Sequence, residues 1–397
     1  MNFCFIPWVD WDAYLHSRPH QLVKDALRRG HRVLYVNPNM RPSFRQGNLE
    51  IWHPLSSPIF GLLKKTLRGE LFRKRSLPAA KRLTPMRELI YRPYEDNNRN
   101  ARLSKVFIDR ITRQKLRTFR RLGEKNIVVF QQPFPSVFEI PYMKGLGYTI
   151  IYDMIDDWSN YLDSPEYFAE TEPYLLRSAD IVTATAKTLY QRAIQHNQNT
   201  YLCPNAADFE HFRRARAIWE SPQDLPPRRP RIGFFGVMRE WFDAELVAFS
   251  ASHRPEYDFC LIGGYLEEIL QKLEGLSNVH LLGEKPYSYL PQYLHHFDAA
   301  IIPFKVNELI RSTNPIKVYE YLAGGKPVVA TEIPEIQHMP FVYVSKGTEE
   351  FIRHLDLAVR TPVDLSEVDN FLVNETWGKR FDVIETAISN TVISRSM

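Results

Sequence analysis

Two runs of strand and helix alternation, divided by a stretch too rich in proline for regular structure, constrain this chain more than any other feature. In the first run, residues 2–7 are short and apolar, and Leu22, Val23, Ala26 and Leu27 recur at helical spacing. Gly30 stands where a helix would close, and residues 32–36 read as the next strand. A strand, helix, strand opening of this kind predicts parallel pairing, because a crossover helix returns the chain to the same edge. Strand patterns resume at residues 127–130, 148–152, 181–184 and 200–202, with a helical run at 187–196. Residues 221–230 (SPQDLPPRRP) then form a linker, since proline lacks the amide hydrogen that helices and ladders need. The second run has strands at 231–235, 257–262, 279–282, 299–302 and 327–330, and helices at 244–252, 266–273, 290–297 and 316–323. The expectation is an α/β protein with two doubly wound, Rossmann-like parallel-sheet domains facing a cleft: residues 1–220, 231–375 and a last helix within 376–397. Ligands of open parallel sheets bind beyond the carboxyl ends of the strands, so the cleft is the expected site.

Residues 41–125 interrupt the rhythm. They hold 22 Lys and Arg against 7 Asp and Glu, a local excess of +15 in a chain whose total is +5, so the remainder carries −10. Such a block predicts an anionic partner surface. Within it, Phe60, Leu63, Leu67 and Leu71 share a helical face beside Lys64, Lys65, Arg68 and Arg75. That stripe fits a helix lying on an anionic membrane through residues 59–121, and equally a surface helix packed on its own domain. The basic stretch 102–121 reads as a solvated helix face. No nucleic acid is expected, because no reader motif accompanies the charge. No apolar run approaches the ~20 residues that span a bilayer. The first residues lack the basic start of a signal peptide, and Cys4, Cys203 and Cys260 are scattered without metal spacing. These features predict a reduced, cytoplasmic protein without a bound metal.

The segment 313–329 (TNPIKVYEYLAGGKPVV) carries the most chemistry. It reads as a helix with Asn314 as N-cap and Pro315 in the first helical position. Its open end follows the strand 299–302 and faces the cleft, where backbone amides and Lys317 would make an anion site suited to a diphosphate. Glu320, one turn on, would accept hydrogen bonds from ribose hydroxyls. The alternative is a well-capped core helix with Lys317 and Glu320 exposed. A second constellation is Asp153, Asp156 and Asp157 after the strand 148–152. Carboxylates crowded at a strand end hold protons more tightly, as a general base requires. N-capping and metal binding are the alternatives. Arg311 before the donor helix would grip phosphate, or lie exposed. No GxGxxG follows any strand, which argues against a dinucleotide-dependent dehydrogenase.

Taken in order, these segments resemble the GT-B glycosyltransferases, especially those of bacterial teichuronic-acid and exopolysaccharide synthesis. The resemblance rests on the helix 313–323 with its Gly-Lys-Pro-Val-Val strand, on 236–243 (GVMREWFD), 261–264 (LIGG) and 283–287 (GEKPY), and on 18–22 (RPHQL), 152–158 (YDMIDDW) and 205–208 (NAAD). It implies transfer of a sugar from a nucleoside-diphosphate donor, UDP by family habit, to an envelope polysaccharide, glycolipid or lipid-linked acceptor. It implies no cofactor beyond the nucleotide sugar, which is a substrate, and no metal. Donor contacts would come from Gly236, Arg239, Arg311, Thr313, Asn314, Lys317 and Glu320. Acceptor contacts would come from Trp11, Arg18, His20 and Asp153, with Asp157 as base; His20, near a helix start, equally suits a surface or cap residue. The last helix would cross back onto the first domain, and the protein would work at the inner face of the plasma membrane. Ser312 stands where many retaining relatives carry a first glutamate, eight positions before Glu320, which leaves the stereochemical outcome open. Two other functions remain compatible: a sugar-nucleotide epimerase of the same architecture, and a non-catalytic subunit that binds nucleotide sugar or glycan.

Overall fold

The computed structural model describes residues 1–13, 15–38, 44–52, 110–161 and 164–396. Among them the strands form two sheets. The first holds β1 (Asn2–Ile6), β2 (Arg32–Val36), β3 (Phe44–Gln46), β4 (Leu49–Trp52), β5 (Asn126–Phe130), β6 (Tyr148–Met154), β7 (Ile181–Ala184) and β8 (Thr200–Leu202). Their spatial order is β3-β4-β2-β1-β5-β6-β7-β8, parallel throughout except for the β3–β4 pair. Phe3 lies opposite both Val33 and Ile127, which fixes the register at the centre. The second sheet holds β9 (Arg231–Phe235), β10 (Asp258–Ile262), β11 (Val279–Gly283), β12 (Ala299–Ile302), β13 (Val328–Thr331) and β14 (Val342–Ser345), in the order β11-β10-β9-β12-β13-β14, all parallel. The order reverses direction at β1–β5 and at β9–β12, and crevices open at such switch points.

The central strands are buried on both faces, so their side chains are apolar without alternation. β3, β4 and β14 have no counterpart in the sequence reading. They are three or four residues long, and β4 sits inside the basic block, where charge hides the short apolar run Leu49, Ile51 and Trp52. β6 runs two residues further than its apolar stretch, so Asp153 lies within the strand.

The amphipathic stripe at 59–75 lies outside the described residues. The described end of the basic block, a helix at 110–119, is not a bare solvated face. Ile111, Leu116 and Phe119 are buried in the first domain. Arg113 donates twice to Glu139, at 2.5 and 2.9 Å, Lys115 pairs with Glu50, and Arg120 donates to the Leu146 carbonyl at 2.8 Å. These cations hold their own domain together.

The helix Trp377–Ser396 returns to the first domain. Trp377, Phe381, Ile384, Ala387 and Ile388 share a core with Phe3, Leu22 and Val33. Arg29 pairs with Asp382 at 2.9 Å and with Glu385 at 2.5 Å. Burying the Trp377 and Phe381 rings is worth about 1.5–3 kcal/mol each, far more than the exposed ion pairs at the rim.

Candidate active site

The second domain's part of the site is built on the helix Ile316–Ala323, beyond the end of β12. Its N-cap is Pro315, with ψ 117°, and helical geometry begins at Ile316, one residue later than the sequence suggests. The reason lies in the other domain. The Asn205 amide donates to Asn314 Oδ1 at 3.0 Å, and Asn205 Nδ2 donates to the Asn314 carbonyl at 2.6 Å. Asn314 is thus a tie between domains rather than a helix cap or a free donor ligand.

Lys317 and Glu320 are both buried, against the alternative of an exposed pair. Lys317 Nζ donates to Glu320 Oε2 at 2.8 Å and lies 5.0 Å from the centroid of the Phe235 ring. Burial pushes the Glu320 carboxyl above its ordinary range, and the Lys317 ammonium opposes that shift. Glu320 Oε1 is buried with no hydrogen-bond partner among the described residues. An unmade hydrogen bond at a buried carboxylate costs free energy that a ligand hydroxyl would recover. The loops after β9 and β10 close the floor. Gly263 sits at φ +137°, and a Cβ there would come within 1.8 Å of the Gly236 carbonyl oxygen. Gly236 in turn lies beside the Lys317 side chain, 3.8 Å from its Cε by the same construction. The remaining expected donor contacts are looser. Arg239 pairs with Glu240 at 3.2 Å and lies over Trp241, Arg311 is exposed on the short helix Glu308–Arg311, and Thr313 Oγ1 donates to the Leu309 carbonyl at 2.8 Å.

Of the expected acceptor residues, Arg18, His20 and Asp153 are enclosed within the first domain. Arg18 Nε and Nη2 both donate to the Asp153 carboxylate at 2.8 Å, and Asp153 also accepts from Gln131 Nε2 at 2.8 Å and Thr183 Oγ1 at 2.7 Å. Arg18 is 3% and Asp153 0% exposed, so this pair bonds the domain internally and offers no face to an acceptor. His20 is 1% exposed and completes a capping box: its Nδ1 accepts from the Ser17 amide at 3.1 Å, and its Nε2 faces the Asp10 carbonyl at 2.9 Å. Those partners fix the Nε2–H tautomer, and burial holds the imidazole down at about 4. Trp11 packs between Tyr35 and His20, at 5.3 and 5.6 Å between centroids.

Among the three strand-end carboxylates, Asp157 is 4% exposed, pairs with Arg192 at 2.9 Å and accepts from Asn160 at 2.8 Å. Asp156 alone of the three keeps partial solvent contact. Its Oδ2 accepts from the Tyr161 hydroxyl at 3.1 Å. Burial raises its carboxyl to about 7, against the lowering effect of that hydrogen bond, and the neighbouring Asp157 adds to the rise.

Tyr287, in the loop after β11, has no role in the sequence reading. Its ring stacks on His211 at 4.3 Å and lies tilted against His16 at 4.5 Å, and its hydroxyl accepts from Gln21 at 3.1 Å. It joins the second domain to the first beside a cavity of about 490 Å³, lined by His16, Lys24, Asp208, His211, Arg214 and Tyr287 among others. Its sequence signals were its place at the end of the segment 283–287 (GEKPY) and the aromatic density of residues 286–293 (PYSYLPQY), a pattern that equally suits a core helix.

Two doubly wound parallel sheets, with an anion-ready helix end at their junction, define the GT-B fold. Residues 229–356 match the model of the family Glycosyl transferases group 1. TuaH of Bacillus subtilis (strain 168), to which a teichuronic acid biosynthesis glycosyltransferase role is attributed, is 25% identical over 217 residues. That alignment covers 49% of this chain and 53% of TuaH, so it spans about half the length of either protein. Among solved structures, the α,α-trehalose 6-phosphate synthase of Burkholderia multivorans superposes with a TM-score of 0.66 at 10% identity, over 100% of this chain and 99% of that one. Anabaena Alr3699/HepE, in complex with UDP and glucose, gives 0.60 at 15% identity over 98% and 99%. At these identities the likeness establishes the fold. Among the described residues, no helix is long and apolar enough to cross a membrane, and no cluster of three or more His, Cys, Asp or Glu could hold a metal ion.

Proposed function

We propose that the chain is a glycosyltransferase that moves a sugar from a nucleoside-diphosphate donor to an envelope glycan, glycolipid or lipid-linked acceptor. The observation that carries this reading is the buried Lys317–Glu320 pair at the mouth of the helix Ile316–Ala323, with Glu320 Oε1 left without a partner. In transfer, the bond from the sugar C1 to the diphosphate oxygen breaks, a bond from C1 to the acceptor oxygen forms, and the acceptor hydroxyl's proton passes to Asp157 if configuration inverts or to the departing diphosphate oxygen if it is retained. The electron pair leaves with the nucleoside diphosphate, whose growing charge the Lys317 ammonium and the helix amides would stabilise. The orphan Glu320 oxygen would accept from a ribose hydroxyl. Lys317 would turn from Glu320 toward phosphate, so the ammonium that meets the diphosphate is already out of water. A UDP-sugar is the favoured donor, supported by the UDP bound in the structurally similar HepE.

The test is thermal stabilisation by UDP, GDP and their sugars, with Lys317→Met alongside. A shift with one nucleotide family, absent from the variant, is the expected result. An equal shift in the variant removes the donor site from this helix. A second element of the proposal is recruitment of residues 59–121 to anionic lipid, supported by the charge of 59–109, since Arg113, Lys115 and Arg120 are engaged within the domain. Binding to phosphatidylglycerol vesicles should weaken with salt, and equal binding to neutral vesicles refutes it.

A further inference from the structure

A line of aromatic rings crosses the cleft at the end of β6. Trp8 meets Trp158 at 5.7 Å, Trp158 stacks on Tyr161 at 5.4 Å with planes 22° apart, and Tyr161 meets Trp241 of the second domain edge-on at 5.9 Å. Asp156 is pinned to this line through the Tyr161 hydroxyl. Two buried polar atoms beside it have no partner among the described residues: Trp158 Nε1, in a residue 6% exposed, and Asp157 Oδ1, in a residue 4% exposed.

We propose that Asp156, Tyr161 and Trp241, backed by the buried Trp158, form a subsite for a neutral pyranose ring of the acceptor, with Asp156 the carboxylate that accepts from its hydroxyls. The proposal deepens the glycosyltransferase reading and rests on it. Aromatic faces bury the C–H faces of a sugar with little loss of conformational freedom, and a carboxylate fixes the ring by charge-assisted hydrogen bonds. The partner of Asp156 is a phenol rather than a cation, whereas Arg18 holds Asp153 and Arg192 holds Asp157. Its charge therefore stays available to hydroxyls and disfavours an anionic sugar. Trp241 comes from the second domain, so the subsite is complete only with the domains together. The ionised form of Asp156 makes the contact, and sugar binding weakens as pH falls through about 7.

The test is a tryptophan-fluorescence titration of the full chain, with UDP present, using methyl β-D-glucopyranoside, methyl β-D-galactopyranoside, methyl N-acetyl-β-D-glucosaminide and methyl β-D-glucuronide. At least one neutral glycoside should bind below about 100 mM, with affinity about tenfold lower in both Asp156→Asn and Trp241→Ala. Tyr161→Phe should move the midpoint of the pH dependence upward, because it removes the hydrogen bond that holds the carboxyl down. UDP-induced thermal stabilisation, measured on the same samples, should be unchanged in all three variants. No neutral glycoside binding, equal binding in the variants, or preference for the glucuronide overturns the subsite. If UDP stabilisation survives in that event, the donor reading stands without it. If instead the glycosides behave as expected and UDP gives no shift, the donor reading falls and the subsite remains.

Discussion

Replacing Asp153 with alanine should damage the fold of the first domain, with catalysis lost only as a consequence. Asp153 is wholly buried and accepts four hydrogen bonds, two from Arg18 and one each from Gln131 and Thr183. Removing it leaves the Arg18 guanidinium buried with neutral partners only, the Pro204 carbonyl at 3.0 Å, the Cys203 sulfur at 3.3 Å and Asn205 Oδ1 at 3.4 Å. An uncompensated buried charge of this kind costs about 3–5 kcal/mol. For a domain of this size each kcal/mol lowers Tm by ~2–4 °C, so the loss is ~6–20 °C. Scanning calorimetry reads it directly. The double variant Arg18→Met with Asp153→Leu should recover most of the loss, because an apolar pair of similar volume avoids the stranded charge. A single variant that keeps its Tm within about 2 °C and raises the acceptor KM would refute this reasoning and return both residues to the acceptor site.

Glu320→Gln should weaken UDP binding while leaving the fold intact, because the amide fills the same space but presents a weaker acceptor; calorimetric titration checks it, and unchanged affinity removes Glu320 from the ribose. His20 titrates at about 4 in the folded chain against an ordinary 6.5, so the unfolded chain binds more protons between those values. The stability it contributes is fully present above about pH 6.5 and declines as pH falls toward 4, by roughly 1.4 kcal/mol at about pH 5.5. His20→Gln, which keeps the capping-box acceptor, should flatten that part of the stability profile, and an unaltered slope counts against it. Gly263→Ala should destabilise the second domain by more than ~2 kcal/mol in denaturant titration, since its Cβ would run into the Gly236 carbonyl in a left-handed backbone region.

The parallel sheets and the helix carrying Lys317 and Glu320 were legible because their signals are local: apolar runs of four or five residues, helical spacing between them, and a proline-dense linker. What escaped the sequence was long-range pairing. Arg18 and Asp153 are 135 positions apart, and neither stretch announces the other. Asn314 looks like a cap until Asn205, 109 positions earlier, takes its side chain. Three aspartates at one strand end look equivalent, yet one is enclosed by the strand, one is claimed by Arg192, and one is left beside a tyrosine. Which carboxylate meets solvent depends on residues from β7 and on the helices Arg18–Arg28 and Lys187–Ile194, and no local pattern encodes it.

The return of the helix Trp377–Ser396 onto β1 and the helix Arg18–Arg28 has a consequence for biosynthesis. Phe3 and Leu22 leave the ribosome well before Phe381 and Ile388, which close over them. The domain that is begun first is therefore finished second, after the second domain, whose core runs from Ala207 to Leu372, has had the chance to fold by itself. Until then a strip of the first sheet's apolar face stays open to water, and a nascent chain stalled short of residue 377 would display it to chaperones.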